Sequence, residues 1–339
     1  MVLCLEQPSA PRFPFYTDLE LAAMPPQRAA IDGILYLDTL ATIVARYESF
    51  KTFVALEMAF CMAVGAEYYG RITTSGAVLY LTAEGRSGIA KRVGALRAKY
   101  GGIPDDIPLV IHPGAIDVSD PSIIGTVLTD ADRKLQEIGL AYLPIVAVFI
   151  DTLARNMSGD ENDAGDMGRF VAGCDALRQR TGAVVVAVHH TGWEKDRSRG
   201  SIVLPSAIDT EITLSRDRER VTLKCTKQKD ASPFADLTLE ASPMAGSLVL
   251  EAVELHSRIL TENEHRALLA VHDGSGLRWS EWRESTGLAS GSLSNARNRL
   301  LTLGYVKQQG TNYVATDAGR LAIGSEFKRS STEVQPCEP

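Results

Sequence analysis

The sequence predicts an α/β protein: a twisted, mostly parallel sheet with helices on both faces, an antiparallel hairpin extension, and a small separate module of helices and one hairpin at the end. Three observations carry this. Uninterrupted apolar runs at 41–45, 77–82, 109–112, 145–150 and 183–188 alternate with stretches of helical spacing at 52–64, 88–100, 121–138 and 167–181. That is the pattern of strands buried on both faces between crossover helices. After about residue 205, runs at 208–214, 220–227, 235–240 and 247–253 alternate apolar with polar residues between turn signals such as Arg216-Asp217 and Pro243-Met244-Ala245-Gly246, which predicts antiparallel hairpins. From Thr261 the chain becomes helical again, opening on a Thr-Glu-Asn-Glu capping box.

Composition bounds the function. The 339 residues suit one large and one small domain, and a 45% hydrophobic fraction supports a packed core. With 42 acidic against 35 basic residues, the net charge of -7 argues against coating nucleic acid by bulk charge but leaves room for a local basic patch. Cys4, Cys61, Cys174, Cys225 and Cys337 are scattered, with no CxxC pair, the pattern of reduced thiols rather than a disulfide framework or zinc site. No apolar run approaches the ~18 residues of a membrane span, so a soluble, cytoplasmic protein is expected. Residues 1–30, rich in proline and aromatics, read as an arm or linker with a short helix near Asp18–Met24. Residues 31–254 form the α/β core, 257–322 the helical module and 323–339 a disordered tail.

The chemistry is concentrated at strand ends. Ala45-Arg46-Tyr47-Glu48-Ser49-Phe50-Lys51-Thr52-Phe53 follows a strand and opens a helix. A phosphate-binding loop needs this layout: backbone N–H groups and a helix N-terminus cradle phosphates, a lysine adds positive charge, and a hydroxyl binds Mg²⁺. Against the GxxxxGK[ST] pattern both glycines are missing, replaced by Ala45 and Phe50; a strand-turn-helix with an incidental Lys-Thr is the competing reading. The strand 145–150 ends at Asp151, placed to hold Mg²⁺ or to cap the next helix. The strand 77–82 leads to Glu84, a candidate to polarise an attacking water. A third strand ends in His189-His190. Adjacent strand residues point to opposite faces, which disfavours a shared metal.

The blocks Ser49-Phe-Lys-Thr-Phe-Val-Ala-Leu, Leu79-Tyr-Leu-Thr-Ala-Glu-Gly, Phe149-Ile-Asp-Thr-Leu-Ala-Arg, Gly159-Asp-Glu-Asn, Val188-His-His-Thr-Gly, Arg199-Gly-Ser and Lys227-Gln-Lys-Asp together resemble the RecA-like P-loop ATPases of the RepA type, related to plasmid and phage replicative helicases. The resemblance covers roughly residues 31–230. Ala45 in place of glycine and Glu48 within the loop depart from that pattern. The resemblance implies ATP and Mg²⁺ as cofactors, with residues 45–53 binding nucleotide. Lys51 would lie on the β- and γ-phosphates, Thr52 and Asp151 on the metal, with Glu84 as general base and Arg92 near the site. His190, ahead of His189, would sense the γ-phosphate and signal to a DNA-facing loop carrying Lys195, Arg197 and Arg199. Lys227 and Lys229 would reach a neighbouring subunit's nucleotide, which implies a homo-oligomer, with a hexameric ring favoured. As alternatives, the charged loop and the two lysines are solvated surface.

In the last module, a second helix starts near Ser280, a turn follows at Gly287, a third helix starts near Ser290, and a hairpin turns at Gly310. Helix, helix, helix, hairpin is the winged helix-turn-helix order. Ser292, Asn295, Arg297 and Arg299 on the third helix, and Lys307 on the hairpin, are candidate DNA contacts; protein docking is the alternative. The functional expectation is an oligomeric Mg-ATP-dependent DNA helicase or loader of a plasmid, phage or similar element. A non-hydrolysing DNA-binding regulator and a defence-system ATPase that signals to a partner are the competing readings.

Overall fold

The computed structural model describes residues 15–83, 86–190, 201–253, 260–272, 276–316, 319–320 and 323. They fall in two compact units, 1–252 and 253–339. The first 14 residues and those from 324 onward, half of the expected arm and nearly all of the expected tail, lie outside the described residues.

The first unit begins with α1 (Asp18–Ala22), capped by Thr17 and fully exposed. The short antiparallel pair β1 (Ala29–Ile31) and β2 (Leu35–Tyr36) follows. The core then runs β3 (Leu40–Ala45), α2 (Lys51–Val64), β4 (Ala77–Thr82), α3 (Arg86–Tyr100), β5 (Leu109–Pro113), α4 (Pro121–Glu137), β6 (Ile145–Asp151), a 3₁₀ turn (Leu153–Arg155), α5 (Ala164–Thr181), β7 (Val184–His190), α6 (Val203–Ala207), β8 (Thr210–Asp217), β9 (Arg220–Gln228), β10 (Leu237–Met244) and β11 (Ser247–Ala252). One nine-stranded sheet has the order β11-β10-β9-β8-β3-β7-β6-β4-β5.

From β8 to β5 all neighbours in that order are parallel, as the continuous apolar runs require. The remainder, β9 to β11, is the antiparallel extension. The alternating pattern of 208–214 predicts a hairpin strand throughout. Instead β8 pairs parallel with β3 on one side and antiparallel with β9 on the other. Its alternation reflects burial of Ile212 and Leu214 on one face, not a purely antiparallel setting.

Side chains alternate between two cores. Ile43, Ala45, Tyr80, Phe149, Val186 and Val188 pack with α2 and α3 on one face, and Leu79, Leu81, Val148, Ile150, Val185 and Ala187 pack with α4 and α5 on the other. Asp120 and Asp163 cap α4 and α5 through backbone N–H groups. Among the described residues, no helix is long and apolar enough to cross a membrane.

The second unit holds α7 (Glu262–Ala270), β12 (Leu277–Arg278), α8 (Trp279–Thr286), α9 (Ser290–Thr302), β13 (Val306–Gln309) and β14 (Asn312–Ala315). Its sheet has the order β12-β14-β13. The Thr261 capping box forms, and Gly287 ends α8 with φ 63°. Trp282 is fully buried among Leu268, Leu293, Leu300 and Tyr313, and its Nε1–H donates to the Ala267 carbonyl at 2.7 Å.

Candidate functional site

Sheet register assembles the site. At the carboxyl ends of the parallel strands Ala45 lies opposite His190 and Leu214, Val188 opposite Asp151, and Asp151 opposite Thr82. Ligands of open α/β sheets bind at this edge. Alternation puts Ala45, Tyr80, Asp151 and His190 on the α2 face and His189 on the other.

The loop from 46 to 50 lies between β3 and α2. Two of its residues have left-handed backbones, Glu48 at φ 60° and Phe50 at φ 61°. Phe50 stands where the loop pattern has its second glycine, and the left-handed φ is the reason for glycine there: another residue costs about 1–2 kcal/mol in that conformation. Part of the hold on the loop is internal. Ser49 Oγ donates to the Arg46 carbonyl at 2.8 Å. Phe50 is buried and meets Phe53 edge-on at 5.9 Å.

Lys51, the first residue of α2, is only 6% exposed. Its ammonium donates to the carbonyls of Ala45, at 3.2 Å, and Arg46. Burial pushes it down to about 8, against the pull of the Asp151 carboxylate. Asp151 is 1% exposed, and Tyr80 donates its hydroxyl to Asp151 Oδ2 at 2.7 Å. The Tyr80 contact was not foreseen; the one signal for it is a tyrosine inside an apolar strand, on the same face as the acid one strand away.

These groups open on one cavity of about 730 Å³. Its lining includes Tyr47, Glu48, Ser49, Phe50, Lys51, Thr52, Phe53, Arg92, Asp151, Arg155 and His190. Arg92, from α3, sits 4.8 Å over the Phe53 ring. Arg155, on the 3₁₀ turn after β6, joins the lining although sequence reasoning did not select it; its signal was the Asp-Thr-Leu-Ala-Arg block. Lys51, Arg92 and Arg155 outnumber the Glu48 and Asp151 carboxylates, a balance suited to a polyanion. The His190 ring stacks on Tyr47 at 4.1 Å between centroids. Burial first, then the Lys51 and His189 charges, lower its pKa to about 4, so the imidazole is neutral at pH 7. His189 is buried away from this cavity, which separates the two histidines as the alternation predicted.

Not every candidate converges. Glu84 lies outside the described residues, as do Lys195, Arg197 and Arg199. Lys227 pairs in register with Glu211, which faces the early part of β3, and the Lys229 N–H donates to the Asp209 carbonyl. Both lysines are therefore near the amino ends of the parallel strands, roughly 10–17 Å along β3 from Ala45 at the rise of a strand. They cannot serve the loop of their own chain. Lys227 Nζ donates to the Pro205 carbonyl at 2.8 Å, and Lys229 Nζ is 3.5 Å from Asp209.

In the second unit, Asn295, Arg299 and Lys307 are exposed and Ser292 and Arg297 half-buried. Arg297 lies over the rings of Trp279 (5.0 Å) and Tyr313 (5.9 Å) and donates to Asn298. Arg299 pairs with Glu264 at 3.5 Å. Arg297 and Arg299, both candidate DNA contacts from the sequence, are thus engaged within the unit.

Thr52 and Asp151 supply hard oxygen donors to the same cavity, the donor type that Mg²⁺ takes in small number while the substrate's phosphates complete its shell. Among the described residues no three His, Cys, Asp or Glu side chains gather where they could hold a metal ion. No curated protein matches the chain. The family profile described as the AAA domain matches residues 6–196, more than half of the 339 residues and the whole stretch from the loop through Asp151 to His190. The chain therefore belongs to the AAA domain family, and its first unit is a P-loop ATPase-type domain on a RecA-like sheet.

Proposed function

We propose that the protein is an oligomeric, Mg²⁺- and ATP-dependent DNA-acting ATPase of the RepA type, a helicase or loader of a plasmid, phage or related element. The observation that carries the reading is the convergence of Lys51, Thr52, Asp151 and a neutral His190 in one cation-rich cavity at the carboxyl edge of the sheet. Lys51 holds the β- and γ-phosphates, and Thr52 and Asp151 hold the metal. Bound Mg²⁺ supplies charge neutralisation on the phosphates. Arg92 and Arg155 add positive charge at the walls. Glu84, which follows the carboxyl end of β4 in the chain, accepts the proton of the attacking water.

His190 follows the state of the γ-phosphate because it already touches the loop through Tyr47. Lys195, Arg197 and Arg199, directly after it in the chain, are assigned to DNA. Lys227 and Lys229, too distant from their own loop, act on a neighbour's nucleotide, which calls for a ring or filament. The helix order of the second unit and its β13–β14 hairpin support a winged helix-turn-helix that adds DNA affinity, through Asn295, Ser292 and Lys307 ahead of the engaged Arg297 and Arg299.

The test is ATP turnover by the full chain with and without single-stranded DNA. Turnover stimulated by DNA, and lowered at least ~10²-fold in Glu84→Gln, is expected; turnover absent in both conditions overturns the motor reading. A second reading, a nucleotide-binding scaffold without turnover, is favoured by one observation: two non-glycine residues hold strained positions in the loop. Mg-ATP binding without hydrolysis selects it.

A further inference from the structure

The loop from 46 to 50 keeps two left-handed residues without a glycine at either, so something outside the loop must hold it. One side chain touches both. The Arg216 guanidinium lies 4.2 Å from the centre of the Phe50 ring, and its Nη1 donates to the carbonyl of Glu48. Arg216 comes from β8, whose Leu214 is opposite Ala45 in the sheet. Register alone therefore delivers a residue two positions later to the side of the loop. The arginine is itself fixed, because Nε donates to the Arg218 carbonyl at 2.6 Å in the β8–β9 turn. A planar guanidinium can stack on a ring and donate in its own plane at once, which an ammonium cannot.

We infer that Arg216 is a positioning residue that clamps the phosphate loop in its binding conformation, doing from the neighbouring strand what glycine does in loops that contain it. The inference rests on reading this loop as a phosphate cradle. Left-handed backbone at non-glycine residues persists only where surroundings over-determine it. Ser49 ties the loop to itself and Phe53 packs on Phe50, but the bond to Glu48 and the stack on Phe50 both come from Arg216. Its side chain is exposed, so its removal leaves the core packing in place.

The experiment uses the full chain, unmutated and as R216A, R216K, F50G and the R216A/F50G double variant. Mg-ATP affinity is read by calorimetry, and the loop backbone by the ¹³Cα and ¹³Cβ shifts of selectively labelled Phe50, which report φ. R216A is expected to weaken Mg-ATP at least ~10-fold, the scale of one charged hydrogen bond, and to move the Phe50 shifts away from left-handed values. R216K recovers only part of the loss. In the F50G background, where one of the two left-handed positions no longer needs the clamp, adding R216A costs less than it does in the unmutated protein. Equal affinity in R216A, or the same loss in both backgrounds, overturns the inference. If the unmutated protein binds no Mg-ATP, the proposed function fails, and the Phe50 shifts alone judge the clamp: unchanged shifts in R216A reject it, and a departure from left-handed values upholds it.

Discussion

Replacing Lys51 by methionine should stabilise the protein while removing its nucleotide affinity. The lysine is nearly inaccessible, and burial lowers its ammonium from 10.5 to about 8. Each tenfold change in proton affinity corresponds to about 1.4 kcal/mol, so the charged form is disfavoured on folding by at most about 3.5 kcal/mol at pH 7. Water in the adjoining cavity screens the charge, and the bonds to the Ala45 and Arg46 carbonyls are lost with it, which leaves a net gain of about 1–2 kcal/mol. For a unit of this size that raises Tm by roughly 2–8 °C. The folded pKa lies below the unfolded one, so between about 8 and 10.5 the unfolded chain holds the extra proton and the unmutated protein gains stability as pH rises. The advantage of Lys51→Met is therefore full below pH 8 and shrinks as pH rises from there toward 10.5. Calorimetric scans of both proteins from pH 7 to 10 test this. A lower Tm for the variant at pH 7, or a difference that does not shrink with pH, refutes the claim that Lys51 is held at an energetic cost for its function.

Three further outcomes follow from the same geometry. Because phosphates need the charged ammonium, Mg-ATP affinity should fall about tenfold for each pH unit above about 8, measured by titration calorimetry; affinity flat to pH 10 would exclude Lys51 from the phosphates. Lys99 pairs with the buried Glu57 of α2, which also accepts from the Tyr69 and Tyr100 hydroxyls at 2.8 and 2.9 Å. Lys99→Met should cost up to about 3 kcal/mol in urea unfolding. Burial already raises the Glu57 carboxyl, so the deficit should shrink on acidification, as protonated Glu57 needs no cation. Tyr47→Ala should lift His190 from about 4 toward its ordinary 6.5 by admitting water to the ring, followed by histidine NMR; an unmoved pKa would mean that the stack does not shield it.

The parallel core was legible because burial on both faces leaves a continuous apolar run, and five such runs fall on β3 to β7 within a residue or two. The β1–β2 pair and β12 were not legible: at two or three residues they are too short to show a period. Lys51, Thr52, Asp151 and His190 could be nominated from strand-end position, since register brings those ends together. Tyr80 and Arg216 could not, because their roles depend on which strands are neighbours. The order places β8 beside β3 and β6 beside β4, which no local pattern reveals. The same holds for Arg297 and Arg299: helical spacing marks them as surface positions, but only the packing of α9 against Trp279, Tyr313 and Glu264 shows that they are engaged.

On the proposed function, a loop without glycines still binds a nucleotide through Lys51. The direct measurement is titration calorimetry of Mg-ATP into the full chain and into Lys51→Ala at pH 7.5. Saturable binding by the unmutated protein and its loss in the variant are expected. No heat of binding at millimolar Mg-ATP, or equal affinity in the two proteins, would contradict that reading.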